Sequence, residues 1–172
     1  MTATTTPTAN AFRLNPEDTF PHLSAQKVGG GTLDLPEALA GSWSVVLFYR
    51  GHWCPFCRSQ LSDFQKHSDE YAAAGVKVVA LSVDAEENAQ QTVSRHSLTF
   101  PVAYGLDPIA TSARVGTYTS DGNDGHPTYI QATGFLVTPG GQVALALYSS
   151  GAVGRLNATE TLGMVKYIQQ KA

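Results

Sequence analysis

Cys54 and Cys57 stand three residues apart in the run Tyr49-Arg50-Gly51-His52-Trp53-Cys54-Pro55-Phe56-Cys57-Arg58, and the chain has no other cysteine. A stabilising disulfide acts by closing a long loop of the unfolded chain, and so short a separation closes almost nothing. The pair therefore serves chemistry or a metal. The thiolate is the reactive form of cysteine, and a helix N-terminus favours it through unpaired N–H groups and the positive end of the dipole. Pro55 suits the first position of a helix, because its missing N–H is not needed there. That places Cys54 at the helix start. The i, i+3 spacing brings Cys57 onto the same face one turn later. Cys54 is thus the expected nucleophile, and the deeper Cys57 is the expected resolving thiol. Arg50, His52 and Arg58 bring positive charge close in sequence, and Trp53 offers a hydrophobic wall.

Such a pair fits three uses. One is peroxide reduction, in which Cys54 is oxidised to a sulfenic acid and Cys57 condenses with it to a disulfide. Another is thiol–disulfide exchange, in which Cys57 resolves a mixed disulfide on Cys54. A third is a metal or iron–sulfur module completed by His52 or His67. Structural zinc sites want four ligands, and no second Cys-x-x-Cys exists, so the metal reading ranks last. Neither thiol reaction needs a cofactor, and none is expected.

Around the pair, the 172 residues carry 11 Lys+Arg against 14 Asp+Glu, a net charge of −3. That balance gives no electrostatic footprint for nucleic acid or an anionic membrane surface. The longest apolar run, Trp43 to Tyr49, is strand-sized and far short of the roughly 20 residues of a membrane span. The N-terminus lacks the basic start and apolar core of a signal peptide. A cytoplasmic, reducing location follows, with the pair resting as the dithiol. Residues 1–12 are rich in Thr and Ala and read as a disordered lead-in, followed by a single domain over 13–172.

The elements that must hold the thiols follow from periodicity. A turn at Val28-Gly29-Gly30-Gly31 leads into a short strand ending at Leu35. Ser44 to Tyr49 is the continuous apolar run of a buried parallel strand. A helix with Phe56, Leu61, Phe64 and Tyr71 recurring on one face follows Cys54 and ends at Gly75. Val76 to Val83 is a second core strand. A polar helix extends to about His96, with a short strand at Phe100–Tyr104. Asp107 caps a helix from Pro108 through Val115. The polar stretch Gly116–Pro127 reads as an exposed loop flanking the site. Its Asp121-Gly122-Asn123-Asp124-Gly125 fails the calcium-loop pattern. Thr133–Thr138 and Gln142–Tyr148 are strands joined by the Pro139-Gly140-Gly141 turn. Asn157-Ala158-Thr159-Glu160 opens a last helix with a capping box. Parallel strands with crossover helices, then an antiparallel hairpin, describe a three-layer α/β/α sandwich on a mixed central sheet. The cysteines sit where the first core strand hands over to its helix.

Strand, Trp-Cys-x-x-Cys, helix, strand resembles the thioredoxin fold. The run Phe48 to Leu61, the later Leu106-Asp107-Pro108, and Gly134-Phe135-Leu136-Val137-Thr138-Pro139-Gly140-Gly141 resemble the peroxiredoxin-like branch of the alkyl hydroperoxide reductase/thiol-specific antioxidant family. The resemblance covers about residues 15 to 170. It implies a cysteine-dependent peroxide reductase re-reduced by a thioredoxin-type or low-molecular-weight thiol, and a homodimer as a common assembly. Thiol–disulfide exchange on the same cysteines is the alternative. The chain departs from the family pattern at named places. Gly51 and Leu47 stand where a hydroxyl residue and a proline are expected. Gln131-Ala132-Thr133 stands where an arginine is expected, leaving Arg50 and Arg114 as substitutes. Pro127-Thr128 has the dipeptide of the thioredoxin cis-proline but lies several residues ahead of the Gly134 strand.

Overall fold

The computed structural model describes residues 12–122 and 127–172. The expected lead-in therefore lies, save for Phe12, outside the described residues, as does the segment 123–126 of the polar loop.

The chain builds β1 (Leu23–Lys27), β2 (Thr32–Leu35), β3 (Trp43–Phe48), α1 (Pro55–Lys66), α2 (Ser68–Ala73), β4 (Val76–Leu81), α3 (Glu86–His96), β5 (Val102–Tyr104), α4 (Pro108–Val115), β6 (Thr119–Ser120), β7 (Tyr129–Ile130), β8 (Thr133–Val137), β9 (Val143–Tyr148) and α5 (Ala158–Lys171). The main sheet has seven strands in the order β2-β1-β5-β4-β3-β8-β9. β3, β4 and β5 run parallel, while β1, β2, β8 and β9 pair antiparallel, so the sheet is mixed. β3 lies near the middle, which explains its unbroken apolar run. Val46 and Phe48 pack on one face with Phe20, Leu35, Val115 and Phe135. Val45, Leu47 and Tyr49 pack on the other with Cys54, Cys57, Leu61, Phe64, Tyr71, Leu162 and Val165. Strand alternation thus feeds two cores, one under α4 and one under α1, α2 and α5. No helix among the described residues is long and apolar enough to cross a membrane.

Three local expectations change. The helix after Cys54 breaks at His67, whose Nδ1 lies 2.8 Å from the Asp63 carbonyl oxygen, so α1 and α2 are separate. The N-terminal edge carries a strand that periodicity missed, because β1 alternates polar residues with partly buried ones. The stretch read as an exposed loop after α4 is partly built in. Thr117 is buried, and β6 pairs with β7. Among the described residues the cis X–Pro bond is Leu35–Pro36, at the far edge of the sheet; the bond into Pro127 starts at residue 126, outside the described residues.

Gly116 ends α4 at φ 80°, and a Cβ there would collide with the Phe12 carbonyl oxygen. Both constraints demand glycine. Gly116→Ala is expected to lower stability by about 1–3 kcal/mol, read as a shifted midpoint in urea unfolding. An unchanged midpoint would contradict this packing.

Candidate active site

The site begins at the carboxyl end of β3, where the sheet stops and α1 starts. Cys54 is the N-cap residue of α1, and its Sγ accepts the Cys57 backbone N–H at 3.3 Å. A side-chain acceptor at this position satisfies a free amide of the first turn. The sulfur thus takes the place usually held by a Ser or Asp oxygen. Pro55 occupies the next position, as its sequence context suggests, and is exposed. Both thiols are free and fully buried.

Two guanidinium groups reach the sulfurs from different parts of the chain. Arg50 donates from Nη1 to Cys54 Sγ at 3.7 Å, and its backbone N–H meets Cys57 Sγ at 3.3 Å. Its Nη2 donates to the Tyr129 hydroxyl at 3.0 Å. The Arg50 guanidinium also lies 4.9 Å from the Trp53 ring centre and 5.1 Å from that of Tyr129. These two rings meet edge to face at 5.0 Å. Arg155, in the loop between β9 and α5, donates from Nη2 to Cys57 Sγ at 3.0 Å and to Cys54 Sγ at 3.5 Å. Its other nitrogens are fixed by Gln60 Oε1 at 2.9 Å and the Ala152 carbonyl at 2.7 Å. Gln60 in turn donates to the Leu156 carbonyl at 2.9 Å. Gly134 on β8 leaves room for this loop, since a Cβ there would stand 2.6 Å from Leu156 Cδ1.

The electrostatics separate two chemically identical thiols. The hydrogen bond from the Cys57 thiol, the Cys57 amide, Arg155 and Arg50 together hold the Cys54 pKa well below its ordinary value, against the effect of burial. Burial, then the bond to Cys54, pushes the Cys57 thiol up. These effects favour the thiolate on Cys54 and the proton on Cys57.

Other residues singled out from sequence fall into place around this centre. Gly51 has no room for a side chain, because a Cβ would collide with Trp53 Nε1. Its carbonyl accepts the Cys54 N–H at 3.1 Å. His52 turns its Nδ1 to Asp84 Oδ1 at 3.3 Å. Arg114 is a correction: it is exposed and donates to the His22 carbonyl at 3.2 Å. The second cation on the thiols is Arg155 instead. Gln131, at the position where an arginine is expected, is buried and donates to Ser120 Oγ. Arg155, Tyr129, Gln60 and Asp84 escaped the sequence reading. Arg155 lies 101 residues from Cys54 in a loop without a motif, and only its place just before the Asn157 cap marks it.

Among the described residues, no group of three or more His, Cys, Asp or Glu side chains is arranged to hold a metal ion. Comparison with known proteins shows the family of the chain. The pattern of the AhpC/TSA family matches residues 16–145. A peroxiredoxin from Treponema denticola is 31% identical over 158 residues, covering 88% of this chain and 72% of that protein. A peroxiredoxin from Chlorobaculum tepidum is 29% identical, covering 88% and 71%. In structure, the Mycobacterium tuberculosis AhpC superposes with a TM-score of 0.76 at 22% identity, covering 93% of this chain and 96% of that one. With a mixed sheet, a cysteine pair at the start of α1 and this family match, the chain belongs to the AhpC/TSA family and is a peroxiredoxin-like oxidoreductase of the thioredoxin fold.

Proposed function

We propose that the protein is a thiol peroxidase in which Cys54 attacks a peroxide and Cys57 resolves the product. The observation that carries this reading is the buried Cys54 sulfur set between the guanidinium groups of Arg50 and Arg155, which favour its thiolate. A peroxide is small enough to reach a sulfur that a folded protein disulfide cannot approach without rearrangement. Arg50 Nε is also buried without a hydrogen-bond partner, which leaves an N–H free for a peroxide oxygen.

In the first step the Cys54 thiolate attacks one peroxide oxygen. An S–O bond forms, the O–O bond breaks, and the leaving oxyanion develops negative charge beside the two guanidinium groups. Cys57 gives its proton to that oxyanion, releasing an alcohol or water, and becomes a thiolate. It then attacks the Cys54 sulfenic sulfur. An S–S bond forms, and hydroxide leaves and takes a proton from solvent. External thiol then supplies two electrons through a mixed disulfide; of its two protons one restores the Cys57 thiol and the other returns to solvent, leaving Cys54 as the thiolate. A thioredoxin-type protein or a low-molecular-weight thiol fits this role, in a cytoplasmic setting and with a homodimer as the assembly to test. A second reading, thiol–disulfide exchange, is favoured by the hydrogen bond between the two thiols, a proximity that suits resolution of any mixed disulfide.

Stopped-flow fluorescence of the reduced protein with hydrogen peroxide, reported by Trp53, separates the readings. Fast quenching that scales with peroxide concentration is expected. Cys54→Ser is expected to abolish it, and Cys57→Ser to keep the first phase but stop turnover. A wild-type rate equal to that of a free thiolate would move the assignment to disulfide exchange.

Arg155→Met removes the charge and the Nη2 contact. Alkylation of Cys54 by iodoacetamide at neutral pH is expected to slow by about tenfold, for each pKa unit that carries the thiol above the working pH. The sign follows from loss of a cation that favours the charged form. An unchanged pH profile would remove Arg155 from the site chemistry.

A further inference from the structure

We propose that Asp84 is the positioning residue of this site, holding the segment between β3 and α1 so that Arg50 meets both thiols. The proposal builds on Cys54 being the thiolate nucleophile.

Asp84 is buried in the loop that follows β4. Both of its carboxylate oxygens face His52, and the Ser82 side chain also hydrogen-bonds the carboxylate. Oδ2 accepts the His52 backbone N–H at 2.9 Å, and Oδ1 lies 3.3 Å from His52 Nδ1. Its own backbone is tied down on both sides. The Asp84 carbonyl accepts the Gly105 N–H at 2.8 Å, and its N–H meets Ser82 Oγ at 3.2 Å. Ser82 is joined to the β5 side in turn, through the Ala103 carbonyl at 3.2 Å and the Leu106 N–H at 3.2 Å. Asp84 therefore links the ends of β3, β4 and β5.

His52 sits between the two residues whose geometry matters most. Two positions before it, Arg50 directs its N–H at Cys57 and its guanidinium at Cys54. Two positions after it, Cys54 donates its own N–H to Gly51. Gly51 brings no side chain to anchor this segment, so the grip on His52 supplies the anchor from outside. A buried carboxylate is costly unless its oxygens are used, and here both are.

Charge and geometry predict opposite signs, which makes the role testable. An anion near a thiolate disfavours it, so a purely electrostatic Asp84 would be raising the Cys54 pKa, and its removal would lower that pKa. A positioning Asp84 does the reverse. Without it Arg50 drifts from the sulfurs and the Cys54 pKa rises.

The experiment is ultraviolet titration of the thiolate in the reduced protein and in Asp84→Leu and Asp84→Asn. Leu fills the space without an acceptor, whereas Asn keeps an oxygen for the His52 N–H. Asp84→Leu is expected to raise the Cys54 pKa by about one unit, with about tenfold slower alkylation below it. Asp84→Asn is expected to stay at or below the wild-type value. A pKa that falls or holds in Asp84→Leu, or rises equally in both variants, overturns the proposal. Where Asp84→Leu does not fold, Asp84→Ala carries the same comparison against Asp84→Asn. The titration needs no peroxide, so loss of peroxidase activity in the unaltered protein would refute the functional reading without touching this one.

Discussion

One negative charge shared by two sulfurs at the start of α1 is the interaction on which the site depends. A thiolate buried among apolar side chains is unfavourable, and this one lies against Leu61, Phe64 and Tyr49 in the core. It persists only because donors surround Cys54 Sγ: the Cys57 amide, the Cys57 thiol and the two guanidinium groups. Placing the charge on Cys57 would forgo the free amide at the helix start. Although Arg155 is nearer to Cys57, the deeper sulfur is the one that burial keeps protonated. The asymmetry between the two thiols is therefore a consequence of helix geometry and burial.

The rest of the fold can be understood as what delivers those donors. Parallel β3, β4 and β5 end on the same side, the usual place for a site in an α/β sheet. The segment after β3 brings Arg50, and the loop after β4 steadies it through Asp84. β7 brings Tyr129, which pairs with Arg50, while Trp53 and Tyr129 border its guanidinium. The antiparallel half contributes Arg155 through the β9–α5 loop, seated over Gly134 and gripped by Gln60 of α1. Gly51 and Gly134 both matter for what they lack, since an aromatic or aliphatic neighbour occupies the space of their missing side chain.

Features set by local chemistry were legible in the residues alone. The Cys-x-x-Cys at a strand-to-helix junction, the Asp107 and Asn157 caps, and the Pro139–Gly141 turn each carry their signal within a few positions. Features set by convergence were not. Arg155 and Arg114 look alike in sequence, and only packing of the β9–α5 loop against α1 decides which one meets the sulfurs. Asp84 lies just ahead of Ala85, the N-cap of α3, and its carboxylate turns to His52 rather than to the helix. The break at His67 depends on its imidazole meeting the Asp63 carbonyl, which periodicity cannot register.

The most direct test of the shared charge is the ultraviolet absorbance of the thiolate, followed across pH in the reduced, unaltered protein. The expected curve shows one thiolate forming well below the ordinary cysteine value of about 8.5, and a second forming only far above it. Two thiols titrating together near about 8.5 would contradict the arrangement, and with it the division of labour between Cys54 and Cys57.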